Sequence, residues 1–123
     1  MESNKQGFRI TWGRGFQMTF PNGITISVQF GAGNYCENRD FSARSTMAEA
    51  ATGEAGCLNA EIALWDASGT WITREYQRDA LKLNPHDDVM GWLTTLDVAH
   101  AINWAATVDL ATMVRWVKPV EEE

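Results

Sequence analysis

The chain has 123 residues, of which 45% are hydrophobic and 21% are charged, and this is the composition of an ordinary globular domain. It predicts a single domain over residues 1–123 and excludes collagen-like, coiled-coil and wholly disordered classes. The formal net charge of −6 argues against direct nucleic-acid binding, because a protein that neutralises phosphates needs a basic surface.

The compartment is inferred from segments that the sequence lacks. No run approaches the roughly 18 apolar residues of a membrane span, and residues 1–6 are polar with no apolar segment behind them, unlike a secretory signal. We therefore expect a cytoplasmic protein without a membrane partner. Cys36 and Cys57 could form one disulfide, but reduced thiols are expected in that compartment.

Alternating apolar and polar residues predict strands in the N-terminal third of the chain. The pattern covers residues 7–12, 16–20 and 24–30, and the Pro-Asn-Gly turn at 21–23 joins the last two as a hairpin. The three-residue loop places the apolar side chains of both hairpin strands on one face. The predicted pairs are Phe20 with Ile24, Met18 with Ile26 and Phe16 with Val28.

The loop that follows this hairpin is the main candidate site, and it reads Gly31-Ala-Gly-Asn-Tyr-Cys-Glu-Asn-Arg39. Its glycines can present consecutive backbone N–H groups to an anion, and Arg39 adds a charged donor. Tyr35 offers a ring for stacking, and Asn34 and Asn38 offer amide groups. The lysine of a phosphate-binding P-loop is absent. Alternatively, the glycines only end the strand and Arg39 pairs with a neighbouring carboxylate.

A second hairpin is predicted from residue 58 onwards, with its turn at residues 67–69, Ala-Ser-Gly. The residues assigned to the core face of its first strand are Leu58, Ala60, Ile62 and Leu64. The register places Leu64 opposite Ile72 on that face and Trp65 opposite Trp71 on the other face. The two tryptophans form either a cross-strand contact that stabilises the sheet or an aromatic platform for a ligand or partner.

Beyond this hairpin the hydrophobic period changes from that of a strand to that of a helix. A strand is predicted at residues 89–93, followed by a helix at 95–108 that Thr94 caps together with Asp97. Residues 74–88 are predicted to be a connector.

Residues 42–56 either hold a short helix at 46–51 or form a loop. The fold class is therefore α+β, with an antiparallel sheet of about four to six hairpin-built strands packed against one C-terminal helix.

Catalytic and metal sites are weakly supported by the sequence. Cys36 could pair with His86 or His100 as nucleophile and base, but no local motif supports that pairing. The same residues, together with Cys57, lack the spacing of a zinc site. We therefore predict no catalytic residue, no metal and no cofactor.

The hairpin and its loop, residues 20–39, resemble a segment of small uncharacterised proteins encoded by phages and prophages, in which a hairpin is followed by a Gly-x-Gly-Asn-Tyr-Cys-x-Asn-Arg loop. The resemblance covers about the first third of the chain and carries no activity. It implies a phage accessory protein, present in the host cytoplasm, of a kind that often inhibits or diverts host machinery.

These observations favour a non-enzymatic binding protein, with a host defence protein or a small anionic, nucleotide-like ligand as its partner. A sheet with one apolar face and an aromatic second face also favours self-association, so a homo-oligomer, specifically a homodimer, is expected. The predicted binding residues are Gly33, Asn34, Tyr35, Cys36, Asn38, Arg39, Trp65 and Trp71. The alternatives are a small enzyme acting on a nucleotide or phosphate ester, and an acidic inhibitor of a nucleic-acid-binding host protein.

Overall fold

A computed structural model describes residues 6–11, 14–39 and 56–118 of the chain. Its elements are β1 (Gly7–Thr11), β2 (Gly15–Thr19), β3 (Thr25–Gln29), β4 (Ala60–Trp65), α1 (Thr73–Asp79), β5 (Met90–Leu93) and α2 (Thr95–Thr107). The five strands form one antiparallel sheet in the order β1-β2-β3-β4-β5. The predicted α+β class is confirmed, and the strand count falls within the predicted range.

The N-terminal hairpin has the predicted register. Phe16 pairs with Val28 and Met18 pairs with Ile26 across β2 and β3. Gly23 adopts a φ of 87°, which is the left-handed conformation that the turn requires. The side chain of Asn22 reaches from this turn to donate to the Ala105 carbonyl of α2 (2.8 Å), so the turn also fixes the end of the helix.

Helix α2 lies on one face of the sheet, which is called the inner face below. It packs against β3, β4 and β5, and Ala101 and Ala105 are fully buried because their small side chains allow a close approach. Thr94 and Asp97 form the predicted capping box at its start. The fully buried core also includes Ile24, Ile26, Leu64, Ile72 and Tyr76, of which Tyr76 comes from α1.

The turn predicted for the second hairpin is confirmed, but the chain beyond this turn forms a helix instead of a second strand. Trp65 and Trp71 form a single β-bridge, and Gly69 has the expected positive φ of 86°. The chain then enters α1 at Thr73, and residues 74–79 of this helix lie in the segment predicted to be a connector. The reason is tertiary, because the Thr73 hydroxyl exchanges hydrogen bonds with the Leu64 backbone and the first turns of α1 are buried.

Smaller differences concern the ends of strands. Leu58, assigned to the core face, lies before β4 and is exposed, because pairing with β5 begins only at Ala60 and pairing with β3 only at Glu61. The strands predicted at 7–12 and 89–93 are present as β1 and β5. The short helix considered at 46–51 and the position of Trp12 lie outside the described residues. None of the helices in the described ranges is long and apolar enough to cross a membrane.

Candidate binding corner beside β5

The loop after β3 alternates exposed and buried residues, and this alternation divides the predicted site into two groups. Asn34, Cys36 and Asn38 are buried, whereas Gly33, Tyr35 and Arg39 are exposed. The buried group holds the loop on the body of the protein. The exposed group is the part of the loop that a ligand or partner can reach.

Two buried amide side chains anchor the loop at separate points. Asn34 accepts a hydrogen bond from the Gly31 N–H (3.0 Å) and donates to Oε1 of Glu61 on β4 (3.1 Å). Asn38 donates to the carbonyls of Phe30 (2.8 Å) and Gly56 (2.9 Å). Because a buried amide with its partners removed is costly, these contacts define one conformation of the loop.

Most backbone donors of the loop form hydrogen bonds within the protein. The N–H of Tyr35 donates to Oε2 of Glu61 (3.1 Å), and the N–H of Glu37 donates to Oδ1 of Asn59 (2.7 Å). The N–H of Gly33, whose φ is 83°, donates to the Arg39 carbonyl (3.0 Å). An external anion would therefore compete with the carboxylate of Glu61 and with neutral acceptors for these N–H groups. The donors that the glycine spacing suggested for an anion already have acceptors within the protein.

Cys36 has the properties of a structural thiol. It is fully buried, and its Sγ lies 3.7 Å from the Gly31 carbonyl. Burial raises the pKa of the Cys36 thiol to about 11, and nearby Cys57 and Glu61 add to the rise, against a hydrogen bond from the Asn38 backbone. The thiol is neutral at pH 7, which is unfavourable for a nucleophile. Both cysteines are free.

The exposed residues of the loop form a stacked pair. The guanidinium of Arg39 lies 4.4 Å from the centroid of the Tyr35 ring, a cation–π contact, and its Nη1 donates to the Gly33 carbonyl (3.2 Å). Tyr35 remains 42% exposed. The pair is therefore fixed in position while one side of it faces solvent.

Trp92 on β5, which the sequence analysis did not select, is joined to this loop through its backbone. The backbone N–H of Trp92 donates to the Tyr35 carbonyl (2.7 Å). Its φ is 58°, a left-handed conformation that is unusual for a bulky residue. Its side chain is 55% exposed. The sequence signal for this position was the neighbouring Gly91. In the structure, a Cβ at Gly91 would lie 2.3 Å from the Cβ of Tyr35, so the loop and β5 approach closely here. We name Tyr35, Arg39 and Trp92 the binding corner.

The predicted tryptophan pair belongs to another part of the surface. Trp65 and Trp71 have ring centroids 5.5 Å apart and planes tilted by 45°. Trp65 lies at the end of β4, whereas Glu61, which holds the loop, lies at its beginning. Four residues of strand separate them by roughly 13 Å. The predicted site residues are thus divided between two surfaces.

Beside Trp71 a cleft of about 330 Å³ contains charged and aromatic groups. It is lined by Asp66, Ser68, Thr70, Trp71, Arg74, Glu75, Asp88, Arg115 and Trp116. The Arg74 guanidinium lies 4.5 Å from the centroid of Trp116, and its Nε is buried without a hydrogen-bond acceptor, 3.6 Å from a carboxylate oxygen of Asp88. We name this the mixed cleft.

Arg115 connects the C-terminal segment to the mixed cleft. Its Nη2 lies 2.5 Å from Oδ2 of Asp66, and its Nη1 lies 3.8 Å from Oε2 of Glu75. Burial alone would raise the pKa of Asp66, but hydrogen bonds from Ser68, Arg115 and Thr70 outweigh it and hold the pKa below its ordinary value. Asp66 is therefore an ionised carboxylate that organises the turn after β4.

A further cleft, of about 380 Å³, lies between α2 and the inner face of the sheet. Its wall comes from Val98 and Ile102 of α2, and its floor includes Phe16, Val28 and Phe30. Nearly all of the described residues that line it are apolar, and none of them is charged. We name it the apolar cleft.

The histidines do not meet Cys36 through any hydrogen bond of the described residues. Nδ1 of His100 lies 2.7 Å from the hydroxyl of Tyr76, and Nδ1 of His86 lies 3.5 Å from the Asn84 carbonyl. Burial and the nearby Asp97 raise the pKa of Tyr76 to about 12. Among the residues that the structure describes, no three His, Cys, Asp or Glu side chains are grouped to hold a metal ion.

Comparisons of the chain with models of protein families, with curated proteins and with solved structures found no match.

Proposed function

We propose that this chain is a non-enzymatic binding protein whose binding corner contacts a partner protein. The observation that carries the proposal is the Arg39–Tyr35 stack, exposed on a loop that the buried amides of Asn34 and Asn38 hold to the body of the protein. Tyr, Trp and Arg are the residues that most often dominate the energy of protein interfaces. A corner that is already ordered binds at a lower entropic cost.

A protein partner suits this corner better than a small anion does. The Tyr35 and Glu37 N–H groups donate to Glu61 and Asn59, so they offer little to a phosphate. Arg39 retains charged donors at the surface for a carboxylate or a carbonyl of a partner. The resemblance to phage-encoded proteins favours a host protein, and specifically a defence protein, as that partner.

Site-specific crosslinking tests this proposal. A photoreactive phenylalanine analogue placed at Trp92 in cells of a bacterial host is expected to capture one discrete protein, whereas the same analogue at Val114, which is exposed elsewhere, is expected not to capture it. With the purified partner, Tyr35→Ala and Arg39→Ala should each weaken binding at least about tenfold. Arg14→Ala, another exposed arginine, is the matched control.

Equal capture from both positions, or unchanged affinity of the Tyr35 and Arg39 variants, would refute the proposed corner. The enzyme alternative requires a reactive group in this loop, and the raised pKa of buried Cys36 makes it a poor one. Turnover of a nucleotide or phosphate ester that Cys36→Ser abolishes would favour the enzyme instead.

A second candidate function is the sequestration of a nucleotide-like ligand in the mixed cleft. The observation in its favour is Arg74, which stacks on Trp116 and has a buried Nε without an acceptor. Trp71 and Trp116 offer faces to a planar base, and the arginines and carboxylates offer donors and acceptors to its edges. The volume of about 330 Å³ is within the range of small-molecule sites.

Thermal denaturation with a panel of nucleotides and cyclic nucleotides separates the two candidates. A ligand that binds only the folded state raises the melting temperature. A shift that Trp71→Ala removes and Arg39→Ala retains would assign the ligand to the mixed cleft. No shift with any compound would eliminate this candidate and leave the protein partner.

A further inference from the structure

The outer side of β1 is an unpaired sheet edge in the described part of the chain. β1 pairs with β2 in regular antiparallel register from Gly7 to Thr11, and no strand within residues 6–11, 14–39 and 56–118 pairs with its other side. In an antiparallel ladder, alternate residues direct their N–H and C=O groups to each side. β1 therefore presents a row of backbone donors and acceptors that fits another strand.

The side chains of β1 extend the apolar inner face beyond the helix. Ile10 pairs with Phe16, which lines the apolar cleft, and Phe8 pairs with Met18, which packs on the core. Because directly paired residues share a face, Phe8 and Ile10 continue the inner face. They are 81% and 83% exposed, since α2 packs mainly on β3, β4 and β5. Two large apolar side chains on an open edge indicate an interaction surface.

We propose that a second copy of this chain pairs with β1 through its own β1, antiparallel about a two-fold axis, to join two five-stranded sheets into one. The occupant must be a strand, because the edge offers backbone groups in strand geometry. A second copy supplies a strand of equal length and alternation, and a two-fold interface requires one self-complementary surface. The apolar side chains of both copies then lie on the same inner face.

The charge on β1 selects the register of this pairing. A register that pairs Phe8 with the partner's Ile10 places the two Arg9 side chains opposite each other, and like charges in that position are destabilising. Centring the two-fold axis on Ile10 places Arg9 opposite the partner's Thr11. It also brings the two Ile10 side chains together at the axis.

The area that this surface buries predicts a weak dimer. Phe8 and Ile10 together expose on the order of 300 Å² per chain, since a large apolar side chain carries roughly 150–250 Å². Burial on both chains gives about 600 Å² from these side chains, below the roughly 1,200 Å² at which stable specific interfaces begin. Backbone pairing and the rim of β2 add to this area. We therefore expect a dimer that dissociates on dilution through the micromolar range.

Such a dimer would give the proposed function two contact points. The binding corner includes Trp92 on β5, the edge opposite to β1. In the joined sheet, nine spacings of about 4.8 Å separate the two outermost strands, so the two corners lie about 40 Å apart. A partner with two epitopes at that separation would bind with avidity. This consequence depends on the proposed function, whereas the dimer itself does not.

Light scattering coupled to size-exclusion chromatography tests the dimer without any partner. The wild type is expected to have the mass of two chains near millimolar concentration and of one chain at low micromolar concentration. Ile10→Lys should be monomeric throughout, because a charge would face its copy at the axis. Val117→Lys, at a similarly exposed apolar residue, is the control and should dimerise as the wild type does. Circular dichroism should show both variants folded.

A cysteine at the two-fold axis tests the register. Ile10→Cys should form an intermolecular disulfide under mild oxidation, because paired Cα atoms in an antiparallel ladder lie at disulfide distance. Thr112→Cys, exposed outside the sheet, should not. A wild type that is monomeric near millimolar concentration would overturn the proposal. A dimer that Ile10→Lys leaves intact would overturn it as well, whatever the outcome at the binding corner.

Discussion

The two edges of the sheet are finished in opposite ways. β5 has four residues, and its register with β4 shifts between Ala60 and Ile62. The backbone N–H of Trp92 donates to the carbonyl of Tyr35 in the loop after β3. β1 has five residues in unbroken register with β2, and its two large apolar side chains are exposed. Sheets that must not recruit another strand blunt their edges with bulges, short strands and covering loops. β5 is protected in this way, whereas no strand among residues 6–11, 14–39 and 56–118 pairs with the outer side of β1.

The largest change in the free energy of unfolding is expected from a substitution that disrupts the contact between the loop after β3 and β5. Gly91→Ala adds a Cβ that would lie 2.3 Å from Cβ and 3.0 Å from the carbonyl oxygen of Tyr35, and neither atom can rotate away. We expect a loss of about 3 kcal/mol in the free energy of unfolding, measured by urea denaturation. Gly56→Ala has no described atom within 4 Å of the new Cβ and should change stability by less than about 1 kcal/mol. Unchanged stability of the Gly91→Ala variant would contradict the close approach of Tyr35 to β5.

Thiol labelling measures how tightly the loop closes over the same edge. Cys57 is partly exposed and should react with a thiol reagent in the native protein, whereas Cys36 should not. A pKa of about 11, against the ordinary 9.0, lowers the thiolate fraction at neutral pH about 100-fold, in addition to the steric protection.

The same pKa has a consequence for stability at high pH. Because the folded-state pKa of Cys36 is raised, its neutral thiol favours the folded chain below about pH 9, and this advantage declines as the pH rises through 9 towards 11. Cys36→Ser should flatten that part of the stability profile. Rapid labelling of both thiols in the native state would contradict the buried position of Cys36.

Glu61 tests the anchoring of the loop to β4. Glu61→Gln keeps the shape of the side chain but replaces an acceptor oxygen with an NH₂ group that faces a donor, either the Asn34 amide or the Tyr35 N–H. We expect a loss of about 1–3 kcal/mol in urea denaturation. Glu37→Gln, on the exposed side of the loop, is the control and should change stability by less than about 0.5 kcal/mol. Equal effects would show that the carboxylate of Glu61 does not hold the loop.

The left-handed backbone at the protected edge is tested by two substitutions of one residue. Trp92→Asn and Trp92→Val both remove the indole, but Asn tolerates a φ of 58° and Val does not. The Asn variant should therefore be more stable by about 1 kcal/mol in thermal or urea denaturation. The reverse order would indicate that β5 relaxes to an ordinary strand conformation when the indole is absent.

The smallest effect is expected at the open edge. Phe8→Thr keeps a strand-forming residue and changes a side chain that is already exposed, so the monomer should lose less than about 0.5 kcal/mol. Ile26→Thr, in the core, is the comparison and should cost several times more, about 2 kcal/mol or above. Measurements at low micromolar concentration keep dimerisation out of both values. A large loss in Phe8→Thr would show that β1 is covered within one chain.

The loop at residues 31–39 was predictable from the sequence as a candidate site, but the burial of its individual residues was not. Its glycine, asparagine, tyrosine and arginine content was enough to select residues 31–39, and the tryptophan contact across the turn after β4 was read from register alone. The alternation within the loop could not be read, because Asn34 and Asn38 turn inward to acceptors supplied by Glu61 and Gly56, which are distant in sequence. Trp92 was missed for the same reason, since its partner Tyr35 belongs to another segment.

The amino-acid sequence by itself determined the β2–β3 hairpin, the strands β1 and β5, and helix α2 with its capping box. In each of these, the period of apolar residues and the turn or cap residues lie within one short segment, so local chemistry specifies the structure. Only the tertiary structure decided that α1 forms where a connector was predicted, that Arg115 binds Asp66, and which edge of the sheet is closed. These outcomes depend on burial and on hydrogen bonds between residues far apart in the chain, whose energies no local pattern contains.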